Sequence, residues 1–225
     1  KYGAPYINRL YGMVARNITP PFRFVCFTDS EQDVRPEVEC QPLPPLDCQL
    51  PTGSPGIWQK SRLWGPKLAD LSGPVLFLDL DLVITGNLDC FFDYGSPDDV
   101  ILSRNQLFSF GRLGQFERMG QTSVFRFPVG KLQPLQEIFN RSPQAIADRY
   151  RFEQRFVTSS APGGAKFFPK RWVRHFRQNC VRPFPLNFLL PPRLPSSARI
   201  VIFPGGVHPT HVMKGQWGPN ATYKP

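Results

Sequence analysis

The sequence predicts an α/β layered domain in which a mostly parallel twisted sheet is flanked by helices. Three observations predict it. Short apolar runs alternate along the chain with stretches of helical periodicity. Gly, Pro and Asp clusters punctuate those runs. The 225 residues, 41% of them hydrophobic, suit one domain with a full core. No composition break divides the chain, so residues 1–225 read as a single domain.

The elements follow in order. Tyr6, Leu10, Met13, Val14 and Asn17 fall at helical spacing, which predicts an amphipathic helix over residues 3–17. Phe22 to Phe27 reads as a strand that stops at the turn-forming Thr28-Asp29. Residues 42–56 are rich in Pro and Gly and read as a loop. Lys60 to Leu71 reads as a helix that Pro66 must break or kink. Gly73-Pro74 marks a turn, and Val75 to Leu78 is an apolar run that suits a buried strand. Further strands are expected at 100–102, 123–127 and 199–203, with helices near 131–140 and 144–156. Prolines, 26 in all, are dense in residues 183–225, which read as a loop-rich C-terminal tail.

Several classes are set aside on composition. No run reaches the roughly 18 apolar residues of a membrane span. The opening KYGAPY lacks the charged start and apolar run of a signal peptide. Five cysteines (Cys26, Cys40, Cys48, Cys90 and Cys180) are an odd number without metal-binding spacing, which predicts reduced thiols and a cytoplasmic location. The N-x-T tripeptides at Asn17 and Asn220 are patterns that chance supplies.

Charge is unevenly distributed. Lys and Arg number 27 against 17 Asp and Glu, a net +10. Up to Asp99 there are eight basic and thirteen acidic residues; after it there are nineteen and four. An acidic part suits a cation, and a basic part beside it suits a polyanion. A metal-bridged phosphate ligand would use both.

The most informative stretch is VLFLDLDLVITGNLDCFF, residues 75–92. An apolar strand runs into Asp79-Leu80-Asp81, and strand carboxyl ends border the ligand crevice of open α/β sheets. Side chains alternate on an extended segment, so Asp79 and Asp81 point to the same side. Two carboxylates there repel unless a divalent cation lies between them, and hard oxygen ligands suit Mn²⁺ or Mg²⁺. Two solvated acids at a strand end would carry the same letters.

LDLDLVITGNLDCFF resembles the D-x-D segment of the glycogenin-like glycosyltransferases of family 8 and their bacterial relatives, which have a GT-A-type fold. Asn87-Leu88-Asp89 and Phe91-Phe92 match the family's continuation. Tyr2 and the helix after it are similar to the family's first donor-site helix, and Lys60 falls where a donor-facing Lys is found. Gln121 to Phe125 is similar to the strand that meets the sugar, Glu153-Gln154 to the Asp-Gln pair beside it, and Ile202 to Pro209 to the closing segment. The resemblance implies transfer of a sugar from a nucleoside-diphosphate donor, with Mn²⁺ or Mg²⁺ as cofactor and retention of configuration. It implies a metal held by Asp79 and Asp81; donor contacts from Tyr2, Lys60, Asp79, Asp81, Gln121 and His208; and catalytic roles for Glu153 and Gln154, while His208, beyond the Gly205-Gly206 pair, is a candidate third metal ligand or a phosphate contact.

The departures are specific. The family's strand ahead of the tyrosine has no counterpart before Lys1-Tyr2. The family's third metal ligand, a His, is replaced by Ile202, and His208 stands where a phosphate-contacting Lys is found. Glu153 replaces Asp and Gln121 replaces Asn, so the sugar pocket differs.

Two rival readings use the same residues. Phe77 to Val83 also fits the D-x-D-x-(T/V) nucleophile motif of haloacid-dehalogenase-type phosphatases, which need a further acidic pair downstream; after Asp99 the acids Glu117, Glu137, Asp148 and Glu153 are scattered singly. Residues 165–182 interleave Lys166, Lys170, Arg171, Arg174, Arg177 and Arg182 with Phe167, Phe168, Trp172 and Phe176. Such interleaving can bind single-stranded nucleic acid or anionic lipid, or form a helix with aromatics inward and a solvated basic face. Nucleic acid leaves the strand-end carboxylates unexplained. The segment is therefore expected to serve an anionic or lipid-linked acceptor, or a membrane surface. His175 within it reads as a surface residue.

Overall fold

The structure is a computed structural model that describes residues 2–105 and 119–216. Helix α1 (Ala4–Ala15) forms as its spacing predicts, with Ile7, Leu10 and Val14 buried and Pro5 in the first turn, where its missing N–H costs nothing. Strand β1 (Val25–Phe27) pairs in parallel with β2 (Glu39–Gln41). The Glu-Cys-Gln sequence of β2 has no apolar run to announce it. Residues 42–56 contain no regular element.

The helix expected over 60–71 is instead a 3₁₀ helix, Trp58–Trp64. Gly65 before Pro66 is extended, ψ 164°, because the proline ring crowds the helical conformation of the residue ahead of it. The short helix is held by tertiary packing: Trp58 stacks on Phe139 with ring centroids 5.2 Å apart, and Trp64 meets the same ring edge-on.

The remaining elements are β3 (Pro74–Leu78), β4 (Val83–Ile84), α2 (Asp89–Asp93), β5 (Ile101–Arg104), β6 (Gly120–Pro128), α3 (Gln133–Arg141), α4 (Pro143–Tyr150), α5 (Glu153–Ser160), β7 (Lys166–Phe167), β8 (Val173–His175), β9 (Ile200–Ile202) and α6 (Pro209–Met213). The helix expected near 144–156 is divided into α4 and α5 at Arg151, whose φ of 63° no helix can continue through. The main sheet has the order β3-β6-β5-β7, and a second has the order β4-β9-β8.

The expectation of a mostly parallel sheet is not met. Among the described residues, β1/β2, β5/β7 and β8/β9 are parallel, while β3/β6, β5/β6 and β4/β9 are antiparallel. Continuous apolar runs report burial on both faces, and such burial usually goes with parallel strands. Here the antiparallel β6 is covered on both sides. Phe125 and Phe127 enter a core with Trp64, Leu135, Phe139 and Phe156, and Val124 enters another with Leu10, Phe91, Phe168 and Ile200.

Residues 165–182 do not form one amphipathic helix. They supply β7, β8 and a π-helical turn, Phe176–Cys180, with Phe168 and Phe176 buried. His175 is buried in β8, not at the surface. Of the expected loop-rich C-terminal tail, residues 217–225 lie outside the described residues; the described part contributes β9, the middle strand of the second sheet.

Candidate functional site

A cavity of about 1240 Å³ opens at the carboxyl end of β3. It runs along both β1 and β3, each of which has one hydrogen-bonded strand neighbour among the described residues. The strand ladder ends where the Asp79 N–H donates to the Ser123 carbonyl at 2.9 Å, and Asp79 and Asp81 then stand at the cavity floor.

The two carboxylates have different partners. Asp79 Oδ1 lies 2.8 Å from Lys60 Nζ, and the same ammonium donates to the Thr122 carbonyl at 3.1 Å. Lys60 also sits 5.0 Å from the centre of the Phe77 ring. The 3₁₀ helix thus delivers a largely buried cation to the end of β3. Asp81 Oδ2 accepts a hydrogen bond from the Tyr2 hydroxyl at 2.9 Å, and His208 Nδ1 lies 3.5 Å from the same oxygen. His208 Nδ1 is 3.3 Å from the Tyr2 hydroxyl. Burial, and then the Asp81 carboxylate that its proton bonds to, push the Tyr2 phenol well above its ordinary range.

Gln121 and Gln154 line the cavity from β6 and α5. Glu153 lines it too, but both of its carboxylate oxygens are engaged. Oε1 accepts from the Thr122 hydroxyl at 2.9 Å, and Oε2 accepts from the Ile57 N–H at 3.0 Å. Glu153 therefore fastens the start of the Lys60-bearing helix to β6. Thr122 is the residue that sequence reasoning missed: its carbonyl holds Lys60 and its hydroxyl holds Glu153. Its letter lies within the resemblance, but partners 62 and 31 positions away leave no local signal.

Tyr2, Lys60, Asp79, Asp81, Gln121, Glu153 and Gln154 all line this one cavity, and His208 reaches it through Tyr2 and Asp81. Gly205 and Gly206, both near φ 83°, turn the chain from β9 toward His208 in a conformation that side chains resist. Ile202 is packed in the core with Leu10 and Ile200, so it supplies no ligand. Among the described residues no group of three His, Cys, Asp or Glu stands close enough to form a metal cage. Asn87 and Asp89 build a turn: Asp89 accepts from Asn87 and from the Thr19 N–H, tying α2 to the end of α1.

This arrangement, a D-x-D strand end on the floor of a cavity in a mixed α/β domain, has the GT-A fold of glycosyltransferases. The galactosyltransferase LgtC, solved with donor and acceptor sugar analogs, superposes with a TM-score of 0.64 at 17% identity over 96% of this chain and 88% of its own. Mouse xyloside xylosyltransferase 1 gives 0.53 at 14% identity over 88% and 90% of the two chains. The bifunctional glycosyltransferase WbbM gives 0.57 at 12% identity over 92% of this chain and 45% of its own. No family model matches the sequence, and no curated protein matches it. The likeness at these identities is one of fold.

Proposed function

We propose that the chain is a glycosyltransferase that binds a nucleoside-diphosphate sugar in the β3 cavity and passes the sugar to an acceptor. The observation that supports this best is convergence. Seven polar residues, from just ahead of α1, the 3₁₀ helix, the turn after β3, β6 and α5, line one cavity in a fold shared with glycosyltransferases.

Asp81 and His208, with Asp79 beside them, would hold Mn²⁺ or Mg²⁺; carboxylate oxygens suit both ions, and an imidazole is a less favoured ligand that Mn²⁺ tolerates. Asp79 is already paired with Lys60, whereas Asp81 faces the Tyr2 hydroxyl and the His208 ring. That leaves Asp81 the more available ligand, with donor phosphates and water to complete the shell. The ion supplies charge neutralisation at the departing diphosphate. Lys60 adds positive charge at the same end of the cavity, and His208 offers a hydrogen bond to a phosphate. Gln121 and Gln154 orient the sugar. Glu153 acts as a positioning residue through Thr122 and Ile57.

The phosphatase reading lacks its second acidic pair here. Glu137 and Asp148 lie exposed on α3 and α4 away from the cavity, and Glu117 lies outside the described residues. A thermal-shift panel of nucleoside-diphosphate sugars with and without Mn²⁺ tests the proposal. Donor at about 100 Kd should stabilise the chain by about 2.7 kcal/mol. Stabilisation by orthovanadate, with none from any nucleotide sugar, would overturn it in favour of the phosphatase.

A further inference from the structure

We propose that residues 183–194 are a docking surface for an anionic lipid bilayer. This goes beyond the donor-site reading and does not depend on it. The apolar side chains of this segment point outward: Phe184 is 81% exposed, Leu189 79% and Phe188 59%, with Leu186, Leu190 and Leu194 also exposed. The two phenylalanine rings pack edge-on against each other, centroids 5.8 Å apart. Exposed apolar side chains scattered singly are ordinary, but this many in one short segment mark a contact surface.

The segment is built to hold them there. A 3₁₀ turn, Leu186–Phe188, is closed by Asn187 N–H to Pro183 and Leu190 N–H to Leu186. Prolines at 183, 185, 191, 192 and 195 stiffen it, so presenting the side chains costs little chain entropy. The Arg193 N–H donates to the Cys180 carbonyl at 2.8 Å, which sets the turn bearing Arg177 and Arg182 alongside. Arg177 and Arg193 are exposed.

Charge selects the occupant. No Asp or Glu follows Glu153 in the sequence, so this third of the chain brings only cations of its own, and the Asp99 carboxylate that meets it is taken up by Lys166. An apolar knob flanked by arginines matches an anionic bilayer, whose interior takes Phe and Leu while its headgroups take the guanidinium groups. Among the described residues no helix is long and apolar enough to cross a membrane. The structure also moves the site from where the sequence put it: in 166–182 Phe168 and Phe176 are buried, and Trp172 packs on Phe91 and Tyr94.

Co-sedimentation of the full chain with vesicles tests the proposal. Wild type should pellet with vesicles of phosphatidylcholine and phosphatidylglycerol in equal parts, and far less with phosphatidylcholine alone. Each exposed arginine contributes about five-fold in partitioning, so R177Q/R193Q should lose about 25-fold. F184S/L189S should lose at least ten-fold while keeping the wild-type melting temperature, since both side chains are already in water. Unchanged partitioning of F184S/L189S, or no preference for anionic vesicles, would overturn the proposal. Concentration-dependent dimers in light scattering, abolished by F184S/L189S, with no vesicle binding, would assign the patch to a second copy instead.

Discussion

The Lys60 ammonium lies 2.8 Å from the Asp79 carboxylate, so one of the two strand-end acids is neutralised within the protein. The side chains are 10% and 21% exposed, which makes this a partly buried pair whose members are costly to orphan. Lys60→Met should cost about 1–3 kcal/mol of stability, because Asp79 and the Thr122 carbonyl both lose their donor. Adding Asp79→Asn to Lys60→Met should recover part of that loss. Urea denaturation of the two single variants and the double variant measures the coupling, and strict additivity would show that the pair contributes nothing.

Asp81 should behave differently. Asp81→Asn preserves volume but removes the charge that a divalent ion needs, so metal-dependent donor binding should fall at least ten-fold. Tyr2→Phe removes the hydroxyl that occupies Asp81 Oδ2 and should leave metal dependence intact or strengthen it. His208→Ala should raise the Mn²⁺ requirement if the ring ligates, whereas His208→Lys should keep activity if it touches phosphate. Titrations of donor binding against Mn²⁺, with and without EDTA, separate these outcomes; full donor binding by Asp81→Asn would remove it from the site.

Glu153 and Gln154 are neighbours with separable roles. Glu153→Leu leaves the Thr122 hydroxyl and the Ile57 N–H, both of which now donate to a carboxylate, without their acceptor. It should cost about 1–3 kcal/mol of stability and leave the Mn²⁺ optimum unchanged. Gln154→Ala should slow turnover with little effect on stability. Melting temperature and donor hydrolysis, measured on both variants, check the division. Equal stability loss in the two would contradict it.

His175 sets an acid limit on the fold. Burial in β8, and then the Arg177 charge, push its imidazole down from 6.5 to about 4. A depressed value means the unfolded chain takes up this proton first. The stability contributed is full above about pH 6.5 and is lost as pH falls toward 4. At about 1.4 kcal/mol for each pH step, up to about 3 kcal/mol is at stake. His175→Phe should flatten the stability profile between pH 6.5 and 4 relative to wild type, measured by denaturant unfolding. Parallel profiles would show that the ring is solvated.

Local pattern carried much of this architecture. The spacing of Leu10 and Val14 sufficed for α1, and the run Val75 to Leu78 sufficed for a strand that ends in two acids. The residues proposed for the donor were singled out through their order along the chain; the structure places Tyr2, Lys60, Asp79, Asp81 and Gln121 along one cavity, with His208 beside Tyr2 and Asp81. β2, β4, β7 and β8 were not legible, because none of them carries the run of three apolar residues that marks β1 and β9. The helix expected after Lys60 failed because Pro66 acts sooner on a chain already held by Trp58 and Trp64.

By itself the sequence determined which segments bury apolar faces and that paired carboxylates follow one of them, since alternation and helical spacing are properties of neighbouring residues. Tertiary structure decided the rest. Sheet direction depends on how the chain returns, and a buried strand has the same composition in either sense. Lys60 meets Thr122 across 62 positions, Ile57 meets Glu153 across 96, and Tyr2 meets His208 across 206. Hydrogen bonds and ion pairs act over a few ångströms in space, whatever the separation in sequence. Only folding could therefore assign Asp79 to Lys60, leave Asp81 to Tyr2 and His208, bury His175, and turn Phe184 and Leu189 outward.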